Sequence, residues 1–329
     1  MSLSPVYHDL VSLFYRFLRL QPFGWEGPRN MLQSERLQLP ALLLLRDLVK
    51  ETDPGEMLTR QEMESRLFNP YPTFNPIFDH LPALLEGGYL SHTAGRYLVT
   101  PRGKALIERL EQARHEYTAT LTPLPLPELT RLAALLEAIA QRMWQASEPA
   151  VKAHQARCHR LPITTPAPMV RLDAAVFALW MARDDAHIAA WRAAGLSGPH
   201  LDLLTALWRR EAHTLSELTT AFEQLQRPED ILEGITALSA AGYVLVEGER
   251  ITLTEDGQRV RTRIEEETDR IYFTPWPPLT PEDLNWLYSS LEKVCETLLR
   301  WFPPHPPGSR DHQAEKSTGE HGHGSTVET

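Results

Sequence analysis

Polar and apolar positions along the chain fall into a recurring order of short helices and paired strand-like runs. In the second half, Leu201-x-Leu203-Leu204-x-x-Leu207-Trp208 has helical apolar spacing. Thr214-Leu-Ser-Glu217 has the form of a capping box, the Thr hydroxyl taking an orphan N–H while the Glu reaches back. It opens a helix carrying Leu218, Ala221 and Phe222. Pro228 suits a first helical turn, and Ile231, Leu232, Ile235 and Leu238 give a third helix one apolar face. Gly242 supplies a left-handed stop. Tyr243–Val246 and Arg250–Leu253 then read as a hairpin around Glu247-Gly-Glu249, and Thr254 caps a last helix. The first half repeats the order. Leu42–Val49 is the opening helix, Thr59-Arg-Gln-Glu62 a second capping box, and Asn75-Pro76 the start of a third helix. Tyr89-Leu90 and Tyr97–Val99 flank a turn at Thr93-Ala-Gly95.

Sliding the chain by 154 positions lays Gly88–Glu128 on Gly242–Glu282 without a gap. Eleven positions are identical, among them Gly88-Tyr89, Arg96, Thr100-x-x-Gly103, Arg109 and Glu111. Ordinary composition gives about two or three. A repeat at fixed offset comes before any other reading, and this one predicts two copies of one domain.

Three helices followed by a hairpin is the winged helix-turn-helix pattern. The chain resembles the MarR family of bacterial regulators. The resemblance rests on Gly195-Leu-Ser-Gly-Pro-His-Leu-Asp-Leu-Leu204, Thr214-Leu-Ser-Glu-Leu218, Ile251-Thr-Leu-Thr-Glu-Asp-Gly257 and Leu279-Thr-Pro-Glu-Asp-Leu284. In the first copy Pro125-Leu-Pro-Glu128 lacks the capping Thr of the last motif. The predicted fold is mainly α with small β-hairpins (α+β), with two winged helix-turn-helix domains and flanking helices. The expected divisions are an N-terminal helical arm (1–38), a first winged domain with its last helix (39–147) and a Pro-containing basic linker (148–172). A second winged domain (173–302) and a disordered tail (303–329) follow. In MarR-like proteins flanking helices pair two subunits, so the resemblance implies an intramolecular pseudo-dimer here. It also implies a small aromatic ligand between those helices and the winged domains.

Length and a hydrophobic fraction of 42% fit two cores. No apolar run has the length of a membrane span, and the start lacks the pattern of a secretory signal. Cys158 and Cys295 form no disulfide framework and fit a reducing cytoplasm. The net charge of −10 opposes nucleic-acid binding by the chain as a whole. From Pro303 onward, Arg310 and Lys316 against Asp311, Glu315, Glu320 and Glu328 give −2, which leaves −8 in the body.

Reading bases requires Arg, Lys, Asn or Gln on a helix in the major groove. The third helices and their approaches offer Thr73, Asn75 and His80 in the first copy, Gln226 and Arg227 in the second. Glu229, Asp230 and Glu233 stand against the second set, because carboxylates repel phosphates. The hairpins offer His92, Arg96, Arg102 and Lys104 in the first copy and Arg250 in the second, so DNA should favour the first. For the arginine pair a bond to an acid on the neighbouring helix is the structural alternative.

Arg142, Lys152, Arg157, Arg160 and Arg171 make the linker the most basic window, and it reads as a solvated connector rather than a phosphate strap. His154-x-x-x-Cys158-His159 lacks a second cysteine, and Asp184-Asp185-x-His187 reads as helix surface, so no metal site is expected. Neighbouring cations could lower the Cys158 pKa, a weak signal for an oxidant sensor. No phosphate-cradling glycine loop, GxSxG or HExxH occurs, which leaves no catalytic residues and no cofactor to name. The sequence therefore points to a cytoplasmic, non-enzymatic, DNA-binding transcriptional regulator of double-stranded DNA. The alternative is a protein-interaction adaptor that docks partners on its winged domains.

Overall fold

A computed structural model describes residues 5–20, 24–35, 37–67, 70–73, 75–159 and 165–303. The tail from 304, Arg160 and Pro22-Phe23 lie outside the described residues. The chain is mainly helical with small antiparallel hairpins, as expected. α1 (Pro5–Leu20) and α2 (Arg29–Glu35) precede a first lobe. That lobe holds α3 (Leu39–Glu51), β1 (Met57–Thr59), α4 (Arg60–Arg66), a 3-10 helix (Pro76–His80) running into α5 (Leu81–Glu86), β2 (Leu90–Thr93) and β3 (Arg96–Val99). α6 (Pro101–Ala119), α7 (Leu126–Gln145), α8 (Ala153–His159) and α9 (Pro168–Ala193) lead to the second lobe. There α10 (Gly198–Trp208), α11 (Leu215–Phe222) and α12 (Pro228–Ala240) are followed by β4 (Val244–Glu247) and β5 (Arg250–Leu253). α13 (Glu255–Phe273) and α14 (Pro281–Trp301) close the chain.

Each lobe has its own apolar core, and a third core lies in a bundle built from both halves. Phe14 and Phe17 of α1, Leu132 and Leu136 of α7, Val176 and Leu179 of α9, and Leu287 and Leu291 of α14 are buried together there. α7 packs on α9, and α1 packs on α14. Tyr7 of α1 meets Phe273 edge-on at 4.8 Å, and Arg171 of α9 binds both carboxylate oxygens of Glu137 on α7. Both faces of α9 are covered, since α7 and α13 pack against it from different sides.

The repeated Gly-Tyr and Thr-x-x-Gly residues perform the same task in both lobes. Gly88 and Gly242 take positive φ (70° and 77°), where a side chain would be strained. Thr100 Oγ1 donates to Gly88 O at 2.8 Å and accepts from Gly103 N at 3.1 Å. Thr254 does the same with Gly242 O at 2.7 Å and Gly257 N at 3.0 Å. The helix start then lies so close to the strand before it that a Cβ at Gly103 would stand 2.4 Å from Tyr89 O, and one at Gly257 2.1 Å from Tyr243 O. The repeat therefore records a backbone-to-backbone contact that only glycine allows.

Several local expectations need correction. The first third helix is not α-helical from Asn75. Asn75 Oδ1 caps a 3-10 turn, and the α-helix starts only at Leu81 before ending at Glu86. Prolines at 76 and 82 each remove a helical N–H donor. The Thr59 capping box is present in full. At Thr214 the hydroxyl accepts from Glu217 N, but Glu217 Oε2 takes the His213 N–H at 2.6 Å instead. β1 was not foreseen, because three residues make a strand only by pairing with β3. Asp184-Asp185-x-His187 is not helix surface. Asp185 is buried, accepting from the His154 and Gln155 N–H groups, and so caps α8 from a distance. Burial pushes His187 down to about 4, and its Nδ1 lies 3.0 Å from Thr268 Oγ1.

Two predictions follow from this packing. Gly257→Ala should destabilise the second lobe by about 2–3 kcal/mol through overpacking. An unchanged urea midpoint would refute the carbonyl contact. Burial also pushes Asp202 on α10 up to about 7, with Arg261 opposing weakly. Its ordinary value is about 3.9. The folded state thus holds this proton, stability is fully present below about pH 4, and it falls as pH rises through 7. Asp202→Asn should stabilise the fold by about 1–2 kcal/mol at pH 8 and leave it unchanged at pH 3.5, which thermal melts at the two pH values would check.

Candidate nucleic-acid interface

The outward faces of the two third helices are poor readers of bases. On α12 the exposed side chains are Pro228, Glu229, Leu232, Glu233, Thr236, Ala237 and Ala240. On the 3-10 turn and α5 they are Pro76, Asp79, Pro82, Ala83 and Glu86. Neither face carries an arginine, lysine or amide, the side chains that read base edges. The residues named from sequence sit elsewhere. Gln226 is fully buried, and its Nε2 donates to Pro199 O at 3.4 Å. Asn75 spends its side-chain oxygen on the Ile77 N–H. His80 is half-buried at the end of the 3-10 turn. Thr73 and Arg227 are exposed, and they bond to each other: the Arg227 N–H donates to Thr73 Oγ1 at 3.4 Å.

The first hairpin and the start of α6 carry a row of basic side chains. His92 stacks against Tyr97 with centroids 4.4 Å apart. Arg96 is half-exposed, donates to Met57 O at 2.9 Å and lies 3.8 Å from Glu62. The expected acid on a neighbouring helix is therefore present. Arg102 lies over the Tyr89 ring at 4.8 Å and 3.6 Å from Glu35, while Lys104 faces Glu108 at 3.8 Å. Exposed pairs of this kind are worth roughly 0–1 kcal/mol, so these cations can exchange a carboxylate for a phosphate at little cost. Two further half-exposed cations escaped the sequence reading. Arg109 is 3.1 Å from Glu35, and Arg60 covers the Phe78 ring at 4.5 Å. Arg109 was visible as a repeat identity, whereas Arg60 had no signal beyond its place at a helix start. The Tyr89 hydroxyl, helped by Arg109 and Arg102, holds the Glu35 carboxyl below its ordinary value.

In the second lobe Arg250 is exposed, and its backbone bridges to Thr214. Glu247 and Glu249 are exposed beside it.

The basic linker is neither solvated connector nor strap. Arg142 donates to Pro275 O at 2.8 Å, and Lys152 to Met143 O at 2.9 Å and Trp144 O at 2.7 Å. Arg157 donates to Arg66 O at 2.9 Å. These cations satisfy carbonyls at the ends of other helices, which sequence spacing cannot reveal. Cys158 is no low-pKa thiol, because burial pushes it up to about 12. Among the described residues no group of three or more His, Cys, Asp or Glu is placed to hold a metal.

A cavity of about 1360 Å³ opens between the first lobe, α8 and α9. Its walls mix apolar side chains (Trp25, Val49, Ile107, Phe177) with half-buried basic groups at Lys50 and Arg114. Arg114 is held between Asp173 at 2.7 Å and Glu111 at 3.0 Å. Burial, reinforced by Arg46, pushes Lys50 down to about 8. No helix among the described residues is long and apolar enough to cross a membrane.

No curated protein and no solved structure matches the chain. Residues 93–303 match the model of a helix-turn-helix family, from the first hairpin through the second lobe to the end of α14. That match takes in well over half of the 329 residues, and the chain belongs to this helix-turn-helix family.

Proposed function

We propose that the chain is a cytoplasmic regulator that binds duplex DNA, MarR-like in build, with two winged domains joined as a pseudo-dimer within one polypeptide. The observation that carries this reading is the row of exposed basic side chains on the first lobe, Arg96, Arg102 and Lys104 with His92 beside them, in a chain of helix-turn-helix family. An arginine just past a hairpin turn suits a narrow minor groove, and the start of α6 suits phosphates. The pseudo-dimer is supported by the exchanged packing of α1 on α14 and α7 on α9. Each half gives its first long helix to the last helix of the other.

The grip falls mainly on phosphate. The third helices offer few base-reading side chains, so affinity should vary little with sequence and steeply with salt. The cavity between the first lobe and α9 suits a small ligand with an apolar, aromatic body and one charged group, because apolar walls surround Lys50 and Arg114.

A second reading, a protein-docking adaptor, draws on the second lobe. Glu229 and Glu233 flank exposed Leu232 on α12, which repels phosphate and suits a protein surface.

Titration of random-sequence duplex and of the protein's own upstream region at two salt concentrations separates the readings. The regulator should bind both, losing affinity with a log–log slope of about −0.9 per phosphate contact. Arg96→Ala should weaken binding about equally on every sequence and reduce that slope by about 1. Arg250→Ala should change binding far less than Arg96→Ala. No binding at low salt would remove DNA from the account and leave the adaptor reading.

A further inference from the structure

The two helix-turn-helix units touch at equivalent points. Thr73 and Arg227 are separated by 154 residues, the offset of the sequence repeat. The Thr73 N–H donates to Leu225 O at 2.9 Å, and the Arg227 N–H donates to Thr73 Oγ1 at 3.4 Å. Arg227 is the N-cap residue of α12, and Thr73 stands two residues before Asn75, which caps the first lobe's third helix. The amino ends of both third helices are therefore tied together.

The rest of the same loop is seated on the second lobe. Pro70 is buried against the start of α10, where a Cβ on Gly198 would stand 2.0 Å from Pro70 O and 3.0 Å from Tyr71 Cα. Tyr71 meets Trp191 edge-on at 6.3 Å and packs on the cluster of Ile188, Leu201 and Ile264. At the loop's root, Arg157 of α8 binds Arg66 O and lies 3.5 Å from Glu51.

A protein that reads two half-sites carries its recognition helices about 34 Å apart, or a multiple of that distance. Helix ends that share two hydrogen bonds do not meet this condition. We propose that the contact of residues 70–73 with Gly198 and Leu225–Arg227 is an autoinhibitory clasp, which must open before both lobes engage one duplex. The inference rests on the DNA-binding reading. The polar part of the clasp is exposed, since Thr73, Leu225 and Arg227 all face solvent, and water can replace its hydrogen bonds. The helix-start glycine provides a clean way to open it. Gly198 follows the N-cap Ser197 at the first position of α10, where alanine suits the helix itself and clashes only with the docked loop.

The test measures hydrogen exchange at the Thr73 and Arg227 amides together with duplex affinity, in the full chain and in Gly198→Ala. The expected result is faster exchange at both amides in the variant and several-fold tighter duplex binding. In the unmodified chain, saturating duplex should speed exchange at the same two amides. Faster exchange in the variant with unchanged or weaker binding would overturn the clasp as an inhibitor. So would slowed or unchanged exchange in the unmodified chain on saturation with duplex. If neither protein binds duplex while the variant's amides are released, the DNA-binding reading itself fails and the inhibitory role goes with it. Released amides without binding distinguish that outcome from a variant in which the clasp never opened.

Discussion

The structure depends on the burial of α7 against α9, with α1 against α14 as its counterpart. Leu132, Leu136 and Ile139 on one side and Leu172, Val176 and Leu179 on the other are almost fully buried. Each such side chain is worth about 1.5–3 kcal/mol when removed from water. Neither half can keep that gain alone, because α1, α7, α9 and α14 each cover an apolar face with a helix from the other half. The bundle therefore fixes where the lobes stand before any contact between them is considered. Ion pairs such as the half-exposed Arg171–Glu137 and the more deeply set Arg114–Asp173 orient the helices, but the apolar interior decides that the halves stay joined.

This constraint explains why so much of the fold is legible in the sequence and why certain parts are not. The third helix of the second lobe, both hairpins and the caps at Thr59, Thr100, Thr254 and Thr280 follow from local chemistry, and each is present. The misreadings share one cause, a partner distant in the chain. β1 exists because β3 lies beside it, and Asp185 is buried because α8 needs a cap thirty residues upstream. α9 shows little polar–apolar separation because it is covered on several sides, so Asp185 and His187 looked like surface residues. The linker cations belong to the same class, since their acceptors are carbonyls at the ends of other elements.

The candidate site was legible in its hairpins and opaque in its helices. Arg96, which the repeat marks, and Arg102 and Lys104, at the helix start after the hairpin, are all exposed. Gln226 has a residue type suited to reading bases, but its burial under α10 is a tertiary fact. The absence of arginine, lysine and amide groups from both third helices needs only their bounds, since neither Pro76–Glu86 nor Pro228–Ala240 contains one. Charge then separates the lobes. The first offers cations paired to carboxylates that solvent already screens, and the second sets Glu229, Glu233, Glu247 and Glu249 around Arg250 and Leu232.

With the bundle fixed, any change in how the lobes face DNA must occur where the first lobe leans on the bundle. The cavity and the loop at residues 70–73 lie on that boundary, and Arg157 belongs to both. It lines the cavity, and it also holds Arg66 O and Glu51 at the root of the loop. A molecule filling the cavity would shift the loop only as far as it binds one arrangement of Arg157 better than the other. Arg114 shares those walls with Lys50, so an anionic group entering the cavity meets a guanidinium already engaged with Glu111 and Asp173. Redistributing such buried pairs is costly, which is the condition under which two discrete arrangements, rather than a gradual drift, connect one side of a lobe to the other.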